Sequence, residues 1–351
     1  MMPGMLRPGD AAEVAERFSL GAAAVLAGPV ARGEVGQVWR LSASRGTFAI
    51  KEPFEPVPEE EVREHAAFQE AVGAASVPVP SVIRTDDGAA VAVVGDAQVR
   101  VFSWVDLLAR DASVDPTEVG RIVASIHRVP FPGEIPTDAW YTEPIGATRW
   151  DELVTELRGH GAPFAARLAA MRDELVALEE LLETPADLQT CHRDLWVDNV
   201  LRTTAGPLCV IDWENCGLAD PSQELALVIF EFGIGDVERV RTLYDAYVEQ
   251  GGPGRIDRPG SFSMLIAQLG HIGEDACASW LDAAPVPRRR RPAGRARGRV
   301  PVLPVDACLH RRDRLRALRL TCDHPGRSRA MMSRETDEQY PRRTRPWASV
   351  R

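Results

Sequence analysis

The 351-residue chain is 45% apolar, with 41 basic and 51 acidic residues and a net charge of −10; that is apolar content enough for two compact lobes, and no run of about 18 apolar residues offers a membrane span. Met1 to Asp10 lacks the apolar core of a signal peptide, and six cysteines with no C-x-x-C pair read as reduced thiols, so a cytoplasmic protein is expected. The charge is unevenly placed: residues 285–351 hold 19 arginines against 6 acidic residues, which leaves residues 1–284 at −23, and an acidic body of that kind argues against a nucleic-acid partner.

The first hundred residues read as a small sheet with one helix. Ala31 to Leu41 alternates loosely and contains Gly33 and Gly36; Gly46 marks a turn, and Thr47 to Lys51 resumes an extended pattern. Lys51 thus lies near the end of the second strand of a hairpin. It is the only lysine in the chain, against 40 arginines. One reading is chance; the other is a site that needs a compact point charge where a planar guanidinium would not fit. After Pro53, Pro56 and Pro58, helical spacing runs over Glu59 to Val72, with three acidic residues at its start. Two short strands are expected around Ala89–Val94 and Val99–Trp104.

From Pro116 the pattern turns helical. Glu118–Val129, Trp150–Leu157 and Phe164–Leu182 carry apolar residues at helical period. Val200-Leu201 and Leu208 to Ile211 flank a polar turn and predict a strand–turn–strand. Residues 222–232 and 236–249, and a last stretch from Phe262 to Leu281, read as helices.

The segment with most chemical content is Cys191-His192-Arg193-Asp194-Leu195-Trp196-Val197-Asp198-Asn199, followed thirteen residues after Asn199 by Asp212 at the end of an apolar strand. Phosphoryl transfer needs one carboxylate to take or orient the proton of the acceptor hydroxyl. It also needs a second carboxylate and an amide oxygen to hold Mg²⁺ on the phosphates. Asp194 suits the first task; Asp212 with Asn199 suits the second. The blander alternative is that Asp194 and Asn199 only shape a turn. His192 reads as a buried brace bonded to backbone and Arg193 as structural, while Asp198 and Glu214 have two readings, one approaching the metal and one facing solvent or supporting the site from behind.

Ile211-Asp212-Trp213-Glu214, then Gly217-Leu218-Ala219-Asp220-Pro221 and Glu224-Leu225-Ala226, resembles the aminoglycoside phosphotransferase family of small-molecule kinases over about residues 20–284. The resemblance implies an α+β, two-lobed protein-kinase-like fold, with a nucleotide-binding small lobe (15–102) of antiparallel sheet. A mostly helical catalytic and acceptor-binding lobe (103–284) would follow. It implies ATP and Mg²⁺ as cofactors, Asp194 as catalytic base, and Asn199 and Asp212 as metal ligands. Lys51, paired with Glu64, would hold the phosphates under the Gly33–Gly36 loop, with Ser103 and Trp104 in the hinge beside the adenine. Glu224 stands where the family often has Asp.

The implied partner is a small hydroxyl-bearing acceptor: an aminoglycoside, a sugar or an amino alcohol. Glu224, Glu231, Asp236 and Asp275 are candidate acids for its pocket; no nucleic-acid or membrane partner is expected. The alternative function is an inactive nucleotide-binding module with a scaffolding role. Beyond Pro285 periodicity stops. The Arg, Pro, Ala and Gly mixture has the composition of a shifted frame of GC-rich coding sequence, so residues 285–351 are expected to be a disordered or frame-shifted tail in place of the last helices.

Overall fold

Alternating burial in the first hundred residues builds a curved antiparallel sheet whose two faces have different tasks. The structure, a computed structural model, describes residues 5–283 except Glu34 and Ile234, so the arginine-rich segment 285–351 lies outside the described residues. A short 3-10 turn (Pro8–Asp10) leads into α1 (Ala11–Arg17), followed by β1 (Val25–Arg32), β2 (Gly36–Ala43), β3 (Gly46–Pro53), α2 (Glu59–Ala74), β4 (Val82–Ile83), β5 (Ala92–Val94) and β6 (Ala97–Ser103). The strand order is β1-β2-β3-β6-β4, with β5 also paired to β6. Each of these pairings is antiparallel.

Because side chains alternate along a strand, Ile50 and Val101 face the core formed with α1, while their neighbours Lys51 and Arg100, paired across β3 and β6, face the other way. That second face carries α2 and opens toward the large lobe. Glu52 points into the α1-side core with 3% of its surface exposed. It is tolerated there because the Leu6 amide (2.7 Å), Gln37 Nε2 (2.8 Å) and Trp39 Nε1 (2.8 Å) all donate to it. Leu6 and α1 therefore belong to the small lobe, whose core starts before the expected boundary at residue 15.

The large lobe contains α3 (Pro116–His127), α4 (Ala139–Thr142), α5 (Ala147–Gly159), α6 (Ala165–Glu179), the short strands β7 (Gln189–Cys191), β8 (Val200–Arg202), β9 (Leu208–Val210) and β10 (Gly217–Ala219), then α7 (Pro221–Gly233), α8 (Val237–Glu249) and α9 (Ser263–Ala283). α3 starts on an Asp115 cap that accepts from the Thr117 amide (2.9 Å), with Pro116 in its first turn. Its Val119, Ile122, Val123 and Ile126 turn inward. Gly120 lets α3 lie directly on α8: a methyl group there would sit 2.2 Å from the Leu243 carbonyl oxygen. α7 is buried along nearly its whole length, the pattern of a central helix packed on every side.

Two antiparallel ribbons frame the middle of this lobe. β8 pairs with β9 (Val200↔Val210), as the strand–turn–strand pattern predicts; β7 pairs with β10 (Cys191↔Gly217), which the sequence did not announce. The expected two-lobed α+β architecture is observed, with β1, β4, β7, β10, α1 and α4 as additions. β1 escaped notice because Gly28 and Pro29 interrupt it and only Leu26 along it is buried, as at a bulged sheet edge. Among the described residues no helix is long and apolar enough to cross a membrane.

Candidate active site

The β7–β10 ribbon delivers residues 192–199 as a loop braced on all sides. His192 is fully buried, donates from Nε2 to the Ile211 carbonyl (3.0 Å) and stacks edge-on against Trp213, the architectural role expected of it. Burial holds its imidazole below the usual range, in the neutral form. Arg193 adopts a left-handed backbone (φ 63°), which costs energy for a residue with a side chain. The cost is met by over-determination. Its amide donates to Glu224, its carbonyl accepts from Gln268 Nε2 (2.8 Å), and its guanidinium donates to the carbonyls of Asn215 (2.5 Å), Pro136 (2.9 Å) and Cys216 (3.3 Å). Gly217 completes the fit, since a Cβ there would lie 2.6 Å from Arg193 Nη2.

Glu224 is the anchor beneath this loop. It accepts from the amides of Arg193 and His192 (3.4 Å for the latter) and meets His127 Nε2 at 2.6 Å; His127 Nδ1 meets the Tyr247 hydroxyl at 2.8 Å. Burial alone would raise the Glu224 carboxyl, but His127 and these amide donors outweigh it and hold the group below the usual carboxylate range. A buried charge paired in this way is costly to break. Glu224 is thus not available to an acceptor pocket, contrary to expectation, and Glu231 is also buried, with 3% of its surface exposed. Asp236 caps α8, accepting from the amides of Glu238 and Arg239, whereas Asp275 remains exposed on α9.

Asp194 follows Arg193 and is partly buried. Its Oδ2 accepts from Asn199 Nδ2 (2.9 Å) and Asn215 Nδ2 (3.1 Å). Burial pushes its carboxyl up to about 6, against the pull of those two amides. Asn199 also donates Nδ2 to the Asp194 carbonyl (2.8 Å), which turns its own side-chain oxygen away from Asp194. Asp212 emerges after β9 in a left-handed conformation (φ 66°). The amide oxygen of Asn199 and the carboxylate of Asp212 are hard oxygen donors of the kind Mg²⁺ prefers, and Asp212 is open enough (42% side-chain exposure) to share with a phosphate.

The small lobe supplies the opposing charge. Lys51 Nζ lies 2.5 Å from Asp212 Oδ1 and also pairs with Glu214, which Arg100 Nη2 approaches at 3.3 Å. Burial alone would lower the Lys51 pKa, but Glu214 and Asp212 together overcome it and raise the value. Gly33 and Gly36 lie at the β1–β2 turn, where the Gly33 amide donates to the Gly36 carbonyl (2.9 Å). Gly36 sits two residues before Val38, the partner of Lys51, and a Cβ on it would come 2.7 Å from the Glu52 carbonyl oxygen. The glycine turn and the lysine therefore share one end of the sheet.

One expectation needs correction. Glu64 does not pair with Lys51: its Oε1 accepts the amides of Glu134 (2.8 Å) and Ile135 (3.0 Å) in the large lobe, while Lys51 is held by Asp212 and Glu214. Ser103 and Trp104 lie between the lobes, where the hinge is expected, with their amides donating to the carbonyls of Ser81 (2.8 Å) and Thr47 (3.1 Å). Asp198 is turned outward to Arg110 (3.0 Å), the solvent-facing one of the roles open to it. In turn, Asn215, Arg100 and His127 take parts that sequence reasoning missed; Asn215 is a near neighbour of Asp212, the only local signal it offered.

A model of the phosphotransferase enzyme family, APH, matches residues 27–258. No curated protein matches the chain. Among solved structures, an aminoglycoside phosphotransferase from Alicyclobacillus acidocaldarius is 18% identical, covers 92% of this chain and 98% of its own, and superposes with a TM-score of 0.59. Spectinomycin phosphotransferase APH(9)-Ia, in complex with ADP and spectinomycin, is 12% identical over 75% of this chain and 84% of its own, with a TM-score of 0.56. Choline kinase LicA from Streptococcus pneumoniae is 16% identical over 88% and 97%, with a TM-score of 0.51.

Proposed function

This chain belongs to the phosphotransferase enzyme family, and from that premise we propose that it is an ATP-dependent kinase of small molecules, moving the γ-phosphate onto an acceptor hydroxyl. The observation that carries the reading is the convergence of Lys51 from the small lobe with Asp194, Asn199 and Asp212 from the large one at the same cleft. Lys51 binds the phosphates as a point charge, beneath the turn that holds Gly33 and Gly36. Asn199 and Asp212 hold Mg²⁺, which when bound supplies positive charge to the phosphate oxygens. Asp194, kept in place by two amide donors, takes the proton of the acceptor hydroxyl as its oxygen bonds to the γ-phosphorus and the bond to the leaving ADP oxygen breaks. A carboxylate with a pKa near 6 is ionised at neutral pH yet basic enough for that transfer.

The acceptor we assign is an aminoglycoside, a sugar or an amino alcohol. Support comes from the family, and from the similar structures that are named for aminoglycosides, spectinomycin and choline. The test is transfer of labelled γ-phosphate from ATP to a panel of amino sugars, sugars, amino alcohols and macrolides. Magnesium-dependent labelling of one class supports the reading, and labelling of none contradicts it.

A further inference from the structure

We propose that Glu64 is a positioning residue for the catalytic loop, acting through the strap formed by residues 133–136. The argument starts from where its carboxylate goes. Oε1 accepts two consecutive amides, of Glu134 (2.8 Å) and Ile135 (3.0 Å), so α2 of the small lobe is fastened to the large lobe at this point. One turn further along α2, Phe68 packs on Phe131 with ring centroids 5.2 Å apart, a second contact to the same segment.

The strap then reaches the catalytic loop directly. The Ile135 carbonyl accepts from the Leu218 amide in β10 (2.8 Å), and the Pro136 carbonyl accepts from Arg193 Nη1 (2.9 Å). Arg193 is the residue before Asp194, and its Nε fixes the Asn215 carbonyl (2.5 Å), whose side chain donates to Asp194 Oδ2. Hydrogen bonds joined by the short backbone of the strap therefore connect Glu64 to Arg193, which precedes Asp194 in the chain, and to Asn215, which donates to its carboxylate. Gly133 is part of the fit: a Cβ there would stand 2.1 Å from Thr190 Oγ1 and 3.0 Å from Glu64 Oε1. The strap can approach α2 this closely only because that position carries no side chain.

This role differs from that of a partner for Lys51, and the difference is chemical. Receiving two amide N–H groups needs only a carbonyl-type oxygen, which glutamine also has; pairing with an ammonium needs the negative charge. The kinetic part of the proposal rests on the kinase reading above, whereas the amide protection does not.

The test uses the full chain and the variants Glu64→Gln, Glu64→Ala and Gly133→Ala. Hydrogen exchange is followed at the Glu134, Ile135, Arg193 and Asp194 amides, and MgATP turnover is measured with whichever acceptor the labelling panel identifies. Glu64→Ala is expected to speed exchange at Glu134 and Ile135 about 10-fold or more, and to lower kcat about 10-fold while KM for MgATP stays within about twofold. Glu64→Gln restores both, and Gly133→Ala reproduces the loss from the other side of the contact. Equal damage in Glu64→Gln and Glu64→Ala with a raised KM for MgATP, the signature of a lost Lys51 partner, would overturn the proposal. So would unchanged kcat in a variant whose strap amides have lost protection. Should the wild-type protein transfer no phosphate, exchange at Arg193 and Asp194 still decides: faster exchange there in Glu64→Ala but not in Glu64→Gln supports the coupling, and unchanged exchange refutes it.

Discussion

Lys51 Nζ lies 2.5 Å from Asp212 Oδ1, so the only lysine of the chain joins the sheet of the small lobe to the strand end of the large one. Two carboxylates, Asp212 and Glu214, share this one ammonium, and Arg100 steadies Glu214 from the neighbouring strand. Because Glu214 also has Arg100 at 3.3 Å, drawing the Lys51 ammonium toward a phosphate does not leave that buried carboxylate without a cation.

Replacing Lys51 tests that arrangement. Lys51→Met is expected to lower kcat/KM for MgATP by on the order of 10²-fold, mostly through KM. Lys51→Arg recovers little, since a planar guanidinium that bridges Asp212 and Glu214 is not a substitute for a compact charge. Steady-state kinetics of the two variants check this, and full recovery by arginine would contradict it.

Glu224 gives a prediction about stability. Glu224→Ala leaves His127 and the amides of His192 and Arg193 without their buried acceptor, and a loss of about 3–5 kcal/mol is expected. Equilibrium denaturation measures it as a lower midpoint. A change below about 1 kcal/mol would mean that the carboxylate is not the anchor described here.

His65 sets an acid limit. It lies on α2 with 7% of its surface exposed, and burial, reinforced by Arg100, lowers its pKa from 6.5 to about 4. A depressed folded value means that the unfolded chain binds the proton first. The contribution of His65 is therefore complete above pH 6.5 and is lost as pH falls toward about 4, by about 3 kcal/mol. His65→Gln, which cannot titrate, flattens the stability curve across that window. An unaltered slope in the variant would refute the assignment.

The legible part of this protein was the part fixed locally. Asp194 and Asn199 lie in one loop between two ribbons, and their spacing predicted the contact they make, while Asp212 ends a strand after that loop. Lys51 stood out by composition and by its place in a strand. What stayed hidden depends on distant partners. Helix α2 offers several carboxylates, and nothing in its sequence says that Glu64 finds two amides 70 and 71 residues away rather than the lysine 13 residues before it. His127 meets Glu224 across 97 residues, and Asn215 reaches Asp194 only because the β7–β10 ribbon folds their segments together.

The most direct test of the central claim is acceptor-dependent ADP formation by the wild-type chain and by Asp194→Ala, with MgATP binding measured on both by calorimetry. Among the described residues Asp194 makes no hydrogen bond to the small lobe, so its removal is expected to leave MgATP affinity within about threefold while turnover falls by about 10³-fold or more. Turnover unchanged by Asp194→Ala would contradict the account.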